Sequence, residues 1–509
     1  MPNINSKMKK INVILLLILI LGSFLRIYDL GTESFWIDEA ITASASQKEP
    51  SFIINNIYTR AALFSEFKMG SGEMPLHYVL ASYWTKIFGL SEFKFRLFSA
   101  LFGVLSIYMI FVVGKMMFNP KVGLISAFIL AINHQHIAYS QEARSYAFII
   151  FFTLLSIYFL IKSLKQNNWA SWLLYSLCSI ILIYTHYLTF FILMFQYLYI
   201  IIYWKPYKKY LKNAFISAFG IFLAYVPWLA VLFKQLMNSG YNYSAVYKPT
   251  LSNFAYIMIQ MNSWISPDSQ TRVALRNMNF SAVSSNGWLI ISSVLGIALL
   301  LGMLFILGLF KKNSPSNKKI GRNKVFLALW FAIPIFVPLI LSIIFPSASI
   351  TGIVRYILFA TPAYYILAAR GASELGKFTR ISLILITLLS IIPLYSYYTN
   401  FDKEQWREAS VYIKNNGQNT ELVIINHESS IFPLNYYFQT AGYPNENVKG
   451  VSSVEQVKTL VIGKGSLWLI YASEKFGDSK HEIKNYLDSI YIVDSEHEFT
   501  GIKIYHYKK

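Results

Sequence analysis

The sequence predicts a mainly α-helical, polytopic membrane protein of about eleven transmembrane helices, with juxtamembrane helices in its first outer loop and a small C-terminal α/β domain outside the membrane. Three observations predict it. The 509 residues are 55% hydrophobic and only 14% charged, too apolar for a soluble globular chain. Apolar stretches of membrane-crossing length recur from residue 11 to residue 398. Basic residues collect in alternate short loops between them.

In chain order, "MPNINSKMKK" followed by "VILLLILILGSFL" has the charged and apolar regions of a signal peptide. The nearest small-residue motif, "ASAS" at 43–46, lies too far downstream for ordinary cleavage, so this run is expected to stay as the first span. The candidate spans are 11–30, 97–114, 122–138, 146–161, 170–185, 187–204, 213–233, 287–310, 325–345, 353–369 and 381–398. With these, the cytoplasmic segments 1–10, 115–121, 162–168, 205–212, 311–324 and 370–380 hold 20 basic residues against one acid, Glu374. The opposite turns 139–145 and 346–352 hold one basic residue, Arg144. A twelfth span at 75–89 would reverse every later loop, so that stretch is expected to lie at the interface.

The outer side then receives 31–96, 139–145, the region of His186, 234–286, 346–352 and everything after 399. Residues 1–399 carry 33 Lys+Arg and 11 Asp+Glu, whereas 400–509 carry 12 and 14, so the net +20 is a property of the membrane part. Positive charge broken into short clusters between apolar runs argues against a nucleic-acid face. The tail alternates strand-like "LVIIN" (422–426), "SLWLIYA" (466–472) and "IKIYHY" (502–507) with helix-like "QWREASVYIKNN" and "SKHEIKNYLDSI". The division expected is therefore a transmembrane domain, 1–399, and an extracytoplasmic α/β domain, 400–509. Cys178 is the single cysteine, so no intrachain disulfide forms, and its apolar neighbours suit packing.

Of the 11 acids before residue 400, six fall between residues 33 and 73 of the first outer loop: Glu33, Asp38, Glu39, Glu49, Glu66 and Glu73. Glu49, Glu66 and Glu73 suit a solvated face. Asp38 and Glu39 differ, because "FWIDEA" places them behind Phe35, Trp36 and Ile37, where burying a carboxylate costs several kcal/mol unless compensated. An N-cap Asp beside an aromatic belt residue is the plainer alternative.

The N-terminal span, the Asp38-Glu39 pair, the block from "PLHYVLASYWTKIFGLSEFKFRLFSA" to "HQHIAYSQEARSYA" and, later, "VRYILFATPAYYIL" (354–367) resemble the membrane glycosyltransferases of the GT-C superfold. Within that group the likeness is to the protein-mannosyltransferase branch, glycosyltransferase family 39 type, which includes bacterial lipid A aminoarabinose transferases. It is detailed over about residues 11 to 190 and topological beyond. The resemblance implies transfer of a sugar from a polyprenyl phosphate to an acceptor hydroxyl of a lipid, glycan or protein on the outer side of the cell membrane. It also implies a first-loop carboxylate as catalytic base, which maps onto Asp38, with Glu39 as helper or substitute.

The residues themselves agree with such chemistry. Inverting displacement needs a base for the acceptor proton, and a polyprenyl phosphate leaving group needs cations. Arg96, Arg144 and Arg355 are candidates for that phosphate, because a guanidinium fork binds its oxygens bidentately. Glu142 is expected either to orient substrate, to join Asp38 at a divalent cation, or merely to pair with Arg144. His134 and His136, two apart, lack the spacing of a helical metal pair. His186 is placed to hydrogen-bond sugar or phosphate, unless it is an ordinary interfacial histidine. Tyr356 and the aromatics of 354–365, with Tyr241, Tyr243, Tyr247 and Trp264, are candidates to line a groove for substrate and lipid tail, or an aromatic girdle. The rival functions are a transporter or flippase of lipid-linked saccharides, which would favour mid-span charges and repeats, and an oligosaccharide polymerase or ligase.

Overall fold

The computed structural model describes residues 4–60, 74–237, 251–263, 271, 279–311, 318–344, 354–400, 403–426, 428–472, 478 and 481–509. Seven helices in these regions are long and apolar enough to cross a membrane: Met8–Ile27, Glu92–Met117, Tyr146–Gln166, Trp204–Lys234, Ser285–Phe310, Lys318–Ile344 and Phe378–Thr399. The remaining four candidate spans take other forms. Pro120–Ile132 and His134–Ser140 form one apolar run bent by 63°. Trp169–Thr185 and Phe190–Ile202 are shorter, and the expected span at 353–369 is a 3-10 turn, Val354–Ala360, leading into the α-helix Thr361–Ser373. Seven of the eleven expected spans are thus long single helices among the described residues, and the other four are shorter, bent or begun by a 3-10 turn.

The bend has a local cause. Asn133 is extended and its side chain accepts from the His136 N–H at 2.8 Å, capping a new helix. The last carbonyls of the preceding helix, Leu130 O and Ala131 O, would be orphaned in the apolar interior. Arg26, fully buried in the first span, donates to both, at 2.9 and 3.0 Å, and also to His136 Nδ1 at 2.8 Å. His134 instead meets Ser263 Oγ at 3.2 Å, so the two histidines serve different neighbours.

Gly308 and Gly371 let Ser285–Phe310 and Thr361–Ser373 touch backbone to backbone: a Cβ on either would collide with the other helix's carbonyl, at Leu367 or Leu304. Small residues allow this close approach where no water drives helices together.

The two ends of the bundle are chemically distinct. At one, the segments expected to be basic converge: Lys311 pairs with Glu374 at 3.1 Å, Lys121 reaches Ser373 O at 3.1 Å, and Lys324 reaches Lys311 O at 3.0 Å. At the other lie the helices Ile37–Ser46 and Pro50–Arg60 and the helix Pro75–Phe88, whose Ser82 and Thr85 donate to Lys48 O and Ser46 O. Pro75–Phe88, at 14 residues, is short for a crossing and packs on these loop helices.

The C-terminal region carries a five-stranded sheet: β1 (Leu422–Asn426), β2 (Val448–Val451), β3 (Ser466–Ala472), β4 (Ile492–Phe499) and β5 (Ile502–Lys508), in the order β2-β1-β3-β5-β4. The first three are parallel, and β5 and β4 add antiparallel. The three strands expected from sequence are there, as are helices Trp406–Asn416 and Glu482–Ile490. β4 and the helix Ile431–Ala441 were not expected: β4 is a mostly exposed edge, so "IVDSEHEF" lacks an apolar alternation to read. The domain docks on the first loop, where Phe35 N–H donates to Tyr437 Oη at 2.7 Å and the Phe35 ring lies 5.2 Å from that of Tyr436.

Candidate active site

Trp36 is extended and the helix Ile37–Ser46 starts immediately after it, so both acids occupy its first turn, where the helix dipole favours negative charge. Neighbouring helical positions point about 100° apart, and the two carboxylates have opposite fates.

Glu39 points inward and is fully buried. Its Oε1 accepts from Arg96 Nε at 2.9 Å and Ala143 N–H at 2.8 Å; its Oε2 accepts from Arg96 Nη2 at 2.8 Å and Lys403 Nζ at 3.2 Å. Burial pushes the carboxyl up, but Arg96, Lys403 and these hydrogen bonds outweigh it and hold it down at about 2. A carboxylate so occupied is a poor proton acceptor, which removes the ground for Glu39 as an alternative base.

Arg96 is equally committed. Beyond Glu39, its Nη1 donates to Leu30 O at 3.1 Å and Glu33 O at 2.8 Å, and its Nη2 to Ser34 O at 2.8 Å. All five N–H donors are used within the protein, so the expectation that Arg96 binds phosphate is corrected. It organises residues 30–39 around one guanidinium.

Asp38 points the other way, 25% exposed, with its Oδ2 3.2 Å from Arg355 Nη1. The Arg355 guanidinium also lies over the Trp36 ring at 5.5 Å. No hydrogen bond to Asp38 Oδ1 is made by the described residues. Arg144 enters from the turn after Ser140, its Nη1 donating to Asp38 O at 3.2 Å and Thr42 Oγ1 at 2.9 Å. Its Nη2 makes no hydrogen bond to the described residues.

Glu142 does not pair with Arg144; among the described residues no ion pair joins them. Its Oε2 is buried and accepts no hydrogen bond from the described residues. Burial raises its carboxyl to about 7, with Glu39 and Asp38 adding to the rise and Lys403 and Arg355 opposing it. His186 caps the end of Trp169–Thr185 and accepts from Leu188 N–H at 3.2 Å. Burial, then the fields of Arg144 and Arg355, hold its imidazole down at about 4, so it is neutral at pH 7. Val354–Ala360 contains Tyr356, whose side chain lies outside the described residues, as do Tyr241, Tyr243, Tyr247 and Trp264.

A metal fits this set poorly. The described residues contain no group of three His, Cys, Asp or Glu able to hold an ion, and Asp38 already faces a guanidinium.

Three contributors escaped the sequence reading. Lys403 reaches Glu39 and, at 3.5 Å, Gln141 O. Glu404, half-buried, follows it in the chain, and burial of its carboxyl, reinforced by Asp38, raises it to about 7. Tyr146, buried at the start of Tyr146–Gln166, faces Arg144, Arg355, Asp38 and Glu142. The tyrosine directly follows "EARS", which was a usable signal; the other two lie more than 360 residues from Asp38 and gave none.

Over nearly its whole length the architecture is shared with solved membrane enzymes. ArnT from Cupriavidus metallidurans, in the apo state, superposes over 98% of both chains with a TM-score of 0.57 at 12% identity. The same protein bound to undecaprenyl phosphate gives 0.55, at 12% identity, over 99% of this chain and 98% of that one. The chain has the GT-C glycosyltransferase fold. Another GT-C neighbour, the archaeal oligosaccharyltransferase AglB from Archaeoglobus fulgidus in complex with an inhibitory peptide and a dolichol-phosphate, matches 98% of this chain and 74% of its own, with a TM-score of 0.55 at 12% identity.

In sequence, residues 73–233 match the dolichyl-phosphate-mannose-protein mannosyltransferase family model. YkcB of Bacillus subtilis (strain 168), which bears a provisional mannosyltransferase name, is 26% identical over 172 residues, 33% of this chain. That match spans 23% of YkcB's own length. The matched GT-C segment contains Arg96, Glu142, Arg144 and His186, whereas Asp38, Arg355 and Lys403 lie outside it.

Proposed function

We propose that this chain is an inverting membrane glycosyltransferase that moves a sugar, hexose or pentose, from a polyprenyl-phosphate carrier to a hydroxyl of a lipid, glycan or protein at the extracytoplasmic face. One observation carries the reading: Asp38, Arg355, Arg144 and Glu142, drawn from three separate parts of the chain, converge at the end of the bundle away from its basic loops. ArnT and AglB, by their bound undecaprenyl phosphate and dolichol-phosphate, support the class of carrier.

The proposed step is a single displacement. Asp38 takes the acceptor's hydroxyl proton while the oxygen attacks the anomeric carbon, and the bond from that carbon to the phosphate oxygen breaks. The electron pair leaves with polyprenyl phosphate, which gains one negative charge. Arg355 and Arg144 receive it, preorganised by Trp36, Thr42 and the Asp38 carbonyl. The donor phosphate competes with Asp38 for Arg355, so donor binding would turn the carboxylate toward the acceptor. With Glu142 and Glu404 protonated, Arg96, Arg144, Arg355 and Lys403 exceed Asp38 and Glu39 by two charges, matching a phosphate dianion.

The test is a panel of undecaprenyl-phosphate sugars supplied to the full chain in proteoliposomes, with release of undecaprenyl phosphate and sugar-labelled product followed together. Release with product formation supports the proposal. Movement of intact carriers between leaflets without release would replace it by the flippase reading.

A further inference from the structure

After the last long helix the chain returns across the first outer loop, and residues 403–408 are tied to it from end to end. Lys403 N–H donates to Glu33 Oε1 at 3.2 Å, and Arg407 N–H donates to Ser34 Oγ at 3.1 Å. The Arg407 side chain reaches Thr32 O at 3.0 Å and Glu92 Oε1 at 3.1 Å. From the other side the β4–β5 turn holds the segment: Gln405 N–H donates to Thr500 O at 3.1 Å, and Thr500 N–H donates to Gln405 Oε1 at 2.9 Å. Gly501, at φ +73°, lies so near Glu404 that a Cβ there would approach its Cγ to 2.8 Å.

From this strap Lys403 reaches inward, 12% exposed, to Glu39 Oε2 and Gln141 O. Glu39 already has the Arg96 fork, so neutralising it does not require a second cation. The surplus charge lies at the turn that carries Glu142, the residue after Gln141, whose buried Oε2 has no hydrogen-bond donor among the described residues. The other charged groups facing Glu142 are Glu39 and Asp38 from the first-loop helix and Arg355 from the 3-10 turn; Lys403 favours its ionised form more than Arg355 does.

We propose that Lys403 is a positioning residue of the transfer site: it locks Glu39 to the Glu142 turn and places, from the segment leading into the C-terminal domain, a cation at that turn that favours a charged Glu142. The purpose of this arrangement rests on the transferase reading above. Its geometry does not. The C-terminal domain thereby becomes part of the site, since the β4–β5 turn fixes where the ammonium sits.

The experiment is an infrared pH titration of the full chain in nanodiscs, reading the carboxylic-acid carbonyl band that Glu142→Gln removes. The wild-type band is expected to titrate near pH 7. Lys403→Gln, which keeps an N–H donor for Gln141 O, should raise that midpoint by about one pH unit or more, because a nearby cation is lost. Lys403→Arg should restore it. Lys403→Met is read in parallel in case the glutamine variant fails to fold. An unmoved midpoint in a folded neutral variant overturns the proposal, since a purely structural lysine would leave the titration unchanged. Binding of undecaprenyl phosphate to the same samples separates the two readings. A shifted midpoint without lipid binding sinks the donor assignment and keeps the Lys403–Glu142 coupling; binding with an unmoved midpoint does the reverse.

Discussion

Arg355 Nη1 lies 3.2 Å from Asp38 Oδ2, joining a residue of the first helical turn after span one to a 3-10 turn more than 300 residues later. In the proposed reaction the pair sets the two roles that the site needs, proton acceptor and phosphate ligand, side by side.

Asp38→Asn should therefore abolish transfer, by about 10²–10⁴-fold in kcat, with expression and thermal unfolding close to wild type. Asp38 is partly exposed and asparagine keeps an acceptor facing Arg355, so little stability is at stake. Wild-type turnover in this variant would take the base role from Asp38.

Arg355→Lys keeps the charge but loses the planar fork and its contact with Trp36. Affinity for polyprenyl phosphate should fall about tenfold, the equivalent of one charge-assisted hydrogen bond. Equilibrium binding of undecaprenyl phosphate checks it, and unchanged affinity would sink the phosphate assignment.

Replacing Arg96 by Met leaves Glu39 buried with one cation instead of two, and breaking such a pair costs about 3–5 kcal/mol. The loss should appear as a marked fall in unfolding temperature, unlike any effect of Asp38→Asn. The same pair sets acid stability. The Glu39 carboxyl is held near 2 in the fold against 4.5 unperturbed, so its contribution is complete above pH 4.5 and disappears as pH falls toward 2. Unfolding temperatures measured down that range should converge for wild type and Glu39→Gln.

Glu142 has the opposite sign. Its carboxyl is raised to about 7 from 4.5, so ionisation places a new negative charge near the donor phosphate as pH rises through neutrality. The donor KM should climb above pH 7 in the wild type and stay level in Glu142→Gln. Parallel profiles would show that Glu142 does not face the donor.

Arg26→Met should uncap Leu130 O and Ala131 O at the bend. Each buried carbonyl left without a donor costs about 1–3 kcal/mol, and the fall in unfolding temperature should exceed that of a surface Arg→Met control such as Arg380→Met.

Much of this was legible in the sequence, for physical reasons that differ by residue. Acid scarcity in an apolar chain singled out Asp38 and Glu142, and the sorting of lysines placed both in loops at the same end. The arginines were harder. Arg96 and Arg355 both sit at the start of apolar runs, but one spends every donor on the backbone and Glu39 while the other faces Asp38, a distinction made only by tertiary contact. Lys403 carries no local signal, because "FDKEQW" looks like any linker until the chain folds back on residue 33. The helices near His186 and Val354 are shorter than the apolar runs suggest, because hydropathy does not register where a helix stops.

The strap at 403–408 also has a consequence for biogenesis. Asp38 and Glu39 are synthesised more than 360 residues before Lys403, and the β4–β5 turn that secures it follows later still. During translation the membrane part can insert with its loop carboxylates in place but one cation short. The newborn protein would thus acquire its working charge balance only when the β4–β5 hairpin has left the ribosome, so a chain truncated before β4 should be inserted and inert.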